Sequence, residues 1–207
     1  MAFDSALLAR ASANEISLRV YGWRPETLSL GALEPFDSVP QESRDRVPIV
    51  RRPTSGGLLF HNADEISFSL SGKGDSSPPA DEIECTCLKA FRSALNELTE
   101  NPRSVEDHLV VCQKRDSDGW LLQGFFAPSG REKLDTLLTH VPRQSQPPSE
   151  LEVSTRQTRI QEILTTLGHS LGLEWSNDRG EPGDEETLLA NRLLAKQFAS
   201  FSWLRRR

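Results

Sequence analysis

One segment constrains the fold more than any other: Arg51-Arg52-Pro53-Thr54-Ser55-Gly56-Gly57-Leu58-Leu59-Phe60-His61, followed by Glu65-Ile66-Ser67-Phe68-Ser69. A basic pair leads into a glycine turn with short apolar runs on either side. This pattern predicts a strand, a tight loop with an accessible main chain, and two further strands. Glycine lets a ligand approach the backbone, and arginine offers paired donors to an anion. The alternative, favoured by residue chemistry alone, is an ordinary hairpin with solvated arginines and a surface histidine.

Alternating apolar and polar residues elsewhere in the chain predict more strands, and longer amphipathic patterns predict helices. Strands are expected at 16–20, 27–31, 47–50, 58–61, 66–70, 108–113 and 120–126. Helices are expected at 3–13 and 80–100, from 129, from 154, and around 190–201. On the helix at 80–100, Cys87 lies on the apolar face and Cys85 points away. The order of elements predicts an α+β protein, with a mixed or antiparallel sheet flanked by helices.

Changes in composition along the chain suggest two structural parts joined by a short connection. Residues 1–141 contain all the expected strands and form the predicted α+β core. Residues 142–150 (PRQSQPPSE) are rich in proline and polar residues, which is typical of a linker. Residues 151–207 carry helical patterns and are expected to pack on the core.

The overall composition excludes several classes of protein. The formal net charge of −6 over 207 residues is unfavourable for binding nucleic acid. No apolar run reaches membrane-spanning length, and no signal peptide is evident. The three cysteines, Cys85, Cys87 and Cys112, suit a reducing compartment, so a cytoplasmic location is expected. No zinc-finger spacing is present, so no metal site is predicted.

Several motifs occur in an order that resembles the lipoate–protein ligase and octanoyltransferase family. Residues 51–61 are similar to the family's basic pair, Thr/Ser-Gly-Gly turn and histidine. Further similar segments are Asp4 with Leu7-Leu8, Tyr21-Gly22-Trp23, Leu28-Ser29-Leu30-Gly31, Gln113-Lys114-Arg115, Leu121-Leu122-Gln123-Gly124 and the closing Phe198–Arg206. No single segment is specific to the family, but their collinear order is.

The resemblance implies a biotin/lipoate ligase-like catalytic domain that acts on a lysine of a lipoyl carrier domain. Such carriers are subunits of 2-oxoacid dehydrogenases or H-proteins of the glycine-cleavage type. The acyl group would be lipoate or octanoate. A ligase would use ATP and Mg²⁺, whereas an acyltransferase or a non-catalytic member would use neither.

The resemblance also assigns roles to individual residues. His61 would orient the loop or the incoming lysine, and an apolar slot formed by Leu59, Phe68 and Leu122 would hold the acyl chain. The implied substrate-binding residues are Arg51, Arg52, Thr54, Ser55, Gly56, Gly57, Leu59, His61, Phe68, Gln113 and Leu122.

One departure from the family pattern bears on activity. Family ligases carry a lysine shortly before the Gln-Arg-Arg segment, where it contacts the acyl carboxylate and the adenylate phosphate. The corresponding residues 105–112 contain no lysine, and its position falls near Asp107. A second alignment places Leu121 there. The alternative function is therefore a non-catalytic family member that binds an acyl or lipoyl carrier, or a partner subunit that supplies the lysine.

Cys112 is a second catalytic candidate, because octanoyltransferases of this superfamily form a cysteine thioester. A thiolate near His108, Lys114 or Arg115 would attack an acyl thioester. The competing interpretation is a small buried residue in a strand, and cysteine is often buried. Biotin–protein ligases share the fold, but their Gly-Arg-Gly-Arg type of loop is absent from the sequence.

Overall fold

The computed structural model describes residues 1–11, 16–73, 80–99, 104–116, 119–129, 150–170 and 182–205. The strands are β1 (Ile16–Gly22), β2 (Thr27–Leu30), β3 (Ile49–Arg51), β4 (Leu58–His61), β5 (Ile66–Gly72), β6 (Leu109–Asp116) and β7 (Gly119–Phe126). The helices are α1 (Ala2–Arg10), α2 (Gln41–Arg44), α3 (Ala80–Leu98), α4 (Glu150–Ser170), α5 (Asp184–Leu193) and α6 (Phe201–Leu204). The helix expected from 129 and most of the expected linker lie outside the described residues.

The described strands form two sheets. The larger is antiparallel, in the order β1-β5-β7-β6, and the smaller runs β3-β2-β4. In the smaller sheet, β2 pairs parallel with β3 and antiparallel with β4. The predicted α+β class with mixed and antiparallel sheets is confirmed. The division into two sheets was not predicted, because strand alternation says nothing about which strands pair.

The main core lies between α3 and one face of the large sheet. The predicted apolar face of α3 is confirmed: Ile83, Cys87, Phe91, Ala94, Leu95 and Leu98 are buried, while Cys85 is exposed. On the sheet, Phe68 stacks on Phe91 with ring centroids 5.3 Å apart. Ile160, Ile163 and Leu164 of α4 join the same core. A smaller cluster on the second sheet contains Leu28, Leu30, Val39 and Leu58.

The other face of the large sheet carries several buried polar side chains and faces the glycine turn. Because side chains alternate along a strand, the residues between the core positions of β5 and β7 point away from α3. They include Ser67, Ser69, Gln123 and Phe125, all buried. The fold thus places a buried polar layer between the large sheet, helix α1 and the segment 51–61.

The C-terminal part of the described chain is helical. Helix α4 begins at Glu150 rather than at Ser154, so the end of the expected linker is already helical. Helix α5 continues through a π-helical turn, Leu194–Phe198, to α6. None of the described helices is both long enough and apolar enough to cross a membrane.

Candidate functional site

The glycine turn follows β3 and is held against β6. Gly56 has φ +93°, a conformation that favours glycine. The backbone N–H of Ser55 donates to the Gln113 carbonyl oxygen at 3.0 Å, and its hydroxyl donates to the same oxygen at 2.9 Å. Thr54 donates to Gln123 Oε1 at 2.7 Å. The turn is therefore anchored on both strands of the β6–β7 hairpin.

Gly31 is tightly enclosed by the turn, whereas Gly57 has open space around it. The carbonyl oxygen of Gly56 occupies the place where a Cβ on Gly31 would lie, so only glycine fits at the end of β2. A Cβ on Gly57 would have no heavy atom within 4 Å among the described residues. The turn packs on Gly31 on one side and is open beside Gly57.

Arg51 is buried and binds main-chain carbonyls. Its Nη1 donates to the oxygens of Gly31 at 2.8 Å and Glu34 at 2.5 Å. Its Nε donates to Trp203 O at 3.0 Å, and its Nη2 to Leu204 O at 2.7 Å. The interpretation of Arg51 as a solvated side chain is wrong, because the guanidinium links the end of β2 to helix α6.

Arg52 is also fully buried, at 0% exposure, and lies on the inner side of the turn. Its Nη2 donates to Gly57 O at 2.8 Å and Ser55 O at 3.3 Å. Its Nη1 donates to Ser29 O at 2.9 Å and also to Ser29 Oγ. The guanidinium therefore joins β2 to the turn.

His61 is not a surface residue but the middle of a buried polar chain. Its Nε2 lies 2.5 Å from Ser29 Oγ, and its Nδ1 lies 2.5 Å from Glu65 Oε1. Its ring stacks on Trp23, with centroids 4.0 Å apart. His61 and Glu65 are both buried, with 0% and 2% of their surface exposed. The imidazole is therefore oriented from both ends and from one face.

A second polar chain connects the turn to helix α1. Gln123, whose Oε1 accepts from the turn, donates through Nε2 to Asp4 Oδ2 at 2.6 Å. Asp4 also accepts from Arg19 at 2.9 Å and Ser69 at 2.9 Å. Burial alone would raise the pKa of Asp4, but the N-terminal ammonium, Arg19 and these hydrogen bonds lower it. Asp4 is thus held as a carboxylate beneath the sheet.

Cys112 lies against the glycine turn and is buried. Its Sγ is 2.8 Å from the position that a Cβ on Gly56 would take, and Arg52 Nη2 is 3.2 Å from the same position. The thiol and the guanidinium therefore both border the space that a side chain on Gly56 would fill. His108, one expected partner of the thiol, instead places Nδ1 2.9 Å from Ala127 O.

Comparison with known proteins gives one partial sequence match and several structural matches. No protein-family profile matches it. A stretch of 78 residues is 38% identical to octanoyltransferase LipM of Geobacillus kaustophilus (strain HTA426), covering 34% of this chain but only 27% of that protein.

Solved structures show the fold. Lipoate-protein ligase A bound with ATP gives a TM-score of 0.70 at 16% identity, over 99% of this chain and 92% of that one. A structure from the analysis of a bi-partite lipoate protein ligase and its E2 lipoyl domain from Thermoplasma acidophilum gives a TM-score of 0.68 at 13% identity, over 99% of this chain and 89% of that one. P. falciparum LipL1 in complex with lipoate gives 0.59 at 13% identity, over 100% and 69%.

The resemblance to the lipoate–protein ligase and octanoyltransferase family is confirmed. The lipoate–protein ligase fold also accounts for the arrangement of the two sheets around the turn. The roles of individual residues do not follow from these matches, since identity to the solved structures is low.

The implied ATP can be tested against the residues of this lipoate–protein ligase fold. The Arg51 and Arg52 N–H groups that would donate to phosphate oxygens instead donate to carbonyl oxygens or to the Ser29 hydroxyl. A triphosphate at the turn would have to displace these contacts. In these contacts the two arginines therefore do not fit ATP at this turn.

The expected acyl slot is not assembled from the three residues assigned to it. Phe68 and Leu122 belong to the core beneath α3. Leu59 is half-buried in the second sheet, opposite Ser29. The side chain of Gln113 donates to Glu84 at 3.2 Å rather than to the turn. The slot and the binding role of Gln113 remain predictions without support from their placement.

Sequence reasoning missed Ser29, Glu65 and Trp23 as members of the site. Ser29 is a polar residue between leucines in a short strand, and Glu65 follows His61 by four residues. Neither spacing is distinctive without the fold. The signal that was available is that a hydroxyl in an otherwise apolar strand needs a partner when it is buried.

Proposed function

We propose that the protein transfers an acyl group from a thioester to a lysine of a lipoyl carrier domain. The observation that carries this proposal is the position of the Gly56 turn, which has the Cys112 thiol and the Arg52 guanidinium on one side. The absence of a side chain at Gly56 leaves room for an acyl carbonyl beside both groups, and the neighbouring Gly57 is open. The sequence match to an octanoyltransferase supports the same chemistry.

The reaction has two balanced steps. In the first, the Cys112 thiolate bonds to the acyl carbon, the carbon–sulfur bond of the donor breaks, and the donor leaves as a thiolate. In the second, the lysine amine of the carrier bonds to the same carbon and Cys112 leaves as a thiolate. The amine proton passes to solvent, and the product is an amide. Neither ATP nor Mg²⁺ takes part.

The test is a transfer assay read by intact mass. Purified protein, an octanoyl thioester of an acyl carrier protein and a lipoyl domain should yield a carrier heavier by one octanoyl group. Cys112→Ser should abolish the transfer, whereas the exposed Cys85→Ser should not. A second reaction with ATP, Mg²⁺ and free octanoate or lipoate should leave the carrier unmodified. Transfer from the free acid in the presence of ATP would instead support an ATP-dependent ligase reaction.

A second candidate function is non-catalytic binding of a lipoyl carrier. It is favoured by the buried arginines, which bind the main chain as structural residues do, and by the lack of the family lysine in residues 105–112. Carrier binding measured by calorimetry, with no mass shift from either acyl donor, would support this candidate and reject the transferase.

A further inference from the structure

The cationic side chain of Arg52 is held by strand β2 on one side and by the glycine turn on the other. Its terminal nitrogens donate to the carbonyls of Ser29, Ser55 and Gly57 and to the Ser29 hydroxyl. The guanidinium also lies over the Phe125 ring, 5.6 Å from its centroid. Because the guanidinium is planar and carries only donors, these contacts define both its place and its plane.

A polar chain leads from Arg52 through Ser29 and His61 to Glu65. Arginine only donates and a carboxylate only accepts, so in the neutral tautomer of His61 with its proton on Nδ1, Nδ1–H donates to Glu65 and Nε2 accepts from the Ser29 hydroxyl. Glu65 is in turn fixed by Ser67, which donates at 3.1 Å and accepts from Trp23 Nε1 at 2.7 Å. The negative charge of Glu65 compensates the buried guanidinium through Ser29 and His61.

The elements packed around Cys112 bring both positive and negative groups toward it. Arg52 approaches it from the turn, beside Gly56. Lys114 lies two residues further along β6, on the same face by strand alternation. On β7 the residue opposite Cys112 is Gln123, which leads to Asp4 on α1. Asp4 is itself balanced by Arg19 at 2.9 Å.

We propose that Arg52 stabilises the Cys112 thiolate, and that Ser29, His61 and Glu65 are positioning residues which hold Arg52 at the turn. This inference rests on the proposed thioester chemistry. Arginine supplies charge but accepts no proton, so it takes over the electrostatic part of a lysine's role and leaves the proton of the incoming amine to solvent. Unlike a lysine on β6, the Arg52 guanidinium reaches the turn from the side of strand β2, where Ser29 holds it.

The test is the titration of Cys112 in the whole protein, read from thiolate absorbance near 240 nm, which needs no reagent access. The absorbance change due to Cys112 is obtained by subtracting the titration of the Cys85→Ser, Cys112→Ala double variant from that of the Cys85→Ser variant. Arg52→Gln should move the ionisation midpoint upward by about one pH unit or more, a tenfold loss of thiolate, since an opposite charge at this range contributes about that much. Arg52→Lys should show a smaller upward shift.

Glu65→Gln separates positioning from direct electrostatics. Removal of a negative charge acting only through space would move the midpoint of Cys112 downward. Loss of the arrangement that holds Arg52 should move it upward, as should His61→Gln and Ser29→Ala. Should Arg52→Gln fail to fold, judged by circular dichroism, the Arg52→Lys and Glu65→Gln titrations carry the test.

Lys114→Gln is the matched control. A shift larger than that of the Arg52 variants would assign the stabilising charge to Lys114 and overturn the inference, as would a downward shift in Glu65→Gln. The titration is independent of acyl transfer. An unchanged midpoint with active transfer rejects this inference alone, whereas the expected shifts without transfer reject the proposed function alone.

Discussion

At the scale of single residues, the site depends on how closely one backbone segment approaches another. Gly31 ends β2, and the carbonyl of Gly56 lies where its side chain would be. The N–H of Gly31 donates to the oxygen of Gly57 at 3.2 Å, and the N–H of Ala32 donates to the oxygen of Thr54 at 2.8 Å. The turn is therefore stacked directly on the end of a strand.

This close approach predicts different costs for two alanine substitutions. Gly31→Ala should lower the free energy of unfolding by about 3 kcal/mol, because the turn must move to admit the methyl group. Gly57→Ala, which has open space around its Cβ position, should change it by less than about 1 kcal/mol. Urea unfolding of both variants checks the difference, and equal costs would contradict the stacking.

The two arginines show what the sequence predicted at this scale and what it did not. The pattern identified a turn, and the turn is present with a left-handed glycine at Gly56. It indicated either ligand binding or solvation for Arg51 and Arg52, yet both bind carbonyl oxygens. Two of the residues that accept from Arg51 lie 152 and 153 residues further along the chain, and no local pattern contains that information.

At the scale of elements, strand β3 depends on helix α6. Arg51 donates to the carbonyls of Trp203 and Leu204, and Trp203 Nε1 donates back to Arg51 O at 3.3 Å. These reciprocal contacts join an edge strand of three residues to a helix of four. Neither element is long enough to be stable alone, so each depends on the other.

Arg51→Lys tests this dependence. Lysine keeps the charge but cannot reproduce the planar set of donors, so we expect a loss of about 2 kcal/mol in the free energy of unfolding. Amide exchange should also accelerate at 201–205. The control is Arg205→Lys, because Arg205 is exposed and stacks over Phe36 and Phe201. An equal loss in both variants would show that the contacts of Arg51 do not stabilise this region.

Elements with strong periodicity were predicted well, and elements defined by distant partners were not. The buried face of α3 matches its apolar spacing, since that spacing alone decides which side a long helix buries. The start of α4 was placed too late at Ser154, because a capping pattern occurs inside the helix. The parallel pairing of β2 and β3 has no local signal, since residues 31–48 separate the two strands.

At the scale of the whole molecule, the two faces of the large sheet have opposite chemistry. One face carries the apolar core under α3, and the other carries the buried polar chains that end at Asp4 and Glu65. The cysteines illustrate the difference. Burial raises the pKa of Cys87 in the apolar core to about 12, with a smaller contribution from Glu84.

This shift predicts how stability responds to alkaline pH. Cys87 keeps its proton in the folded state but loses it near pH 9 when unfolded. Its contribution is therefore complete below pH 9 and is lost as pH rises toward about 12. Cys87→Val should reduce the fall in stability over this range, and the exposed Cys85→Val should not. Urea midpoints measured from pH 8 to 11 check this; identical slopes in both variants would contradict it.

The contacts of Arg51 also bear on the order in which the molecule matures during synthesis. Two of the carbonyls that accept from its guanidinium belong to residues made 152 and 153 positions later. At ribosomal rates of about 5–20 residues per second, that interval is on the order of ten seconds. Until then the guanidinium has only part of its native shell, and the adjoining turn has only part of its support. The anchoring of this region is therefore among the last steps of folding, although Arg51 belongs to the first third of the chain.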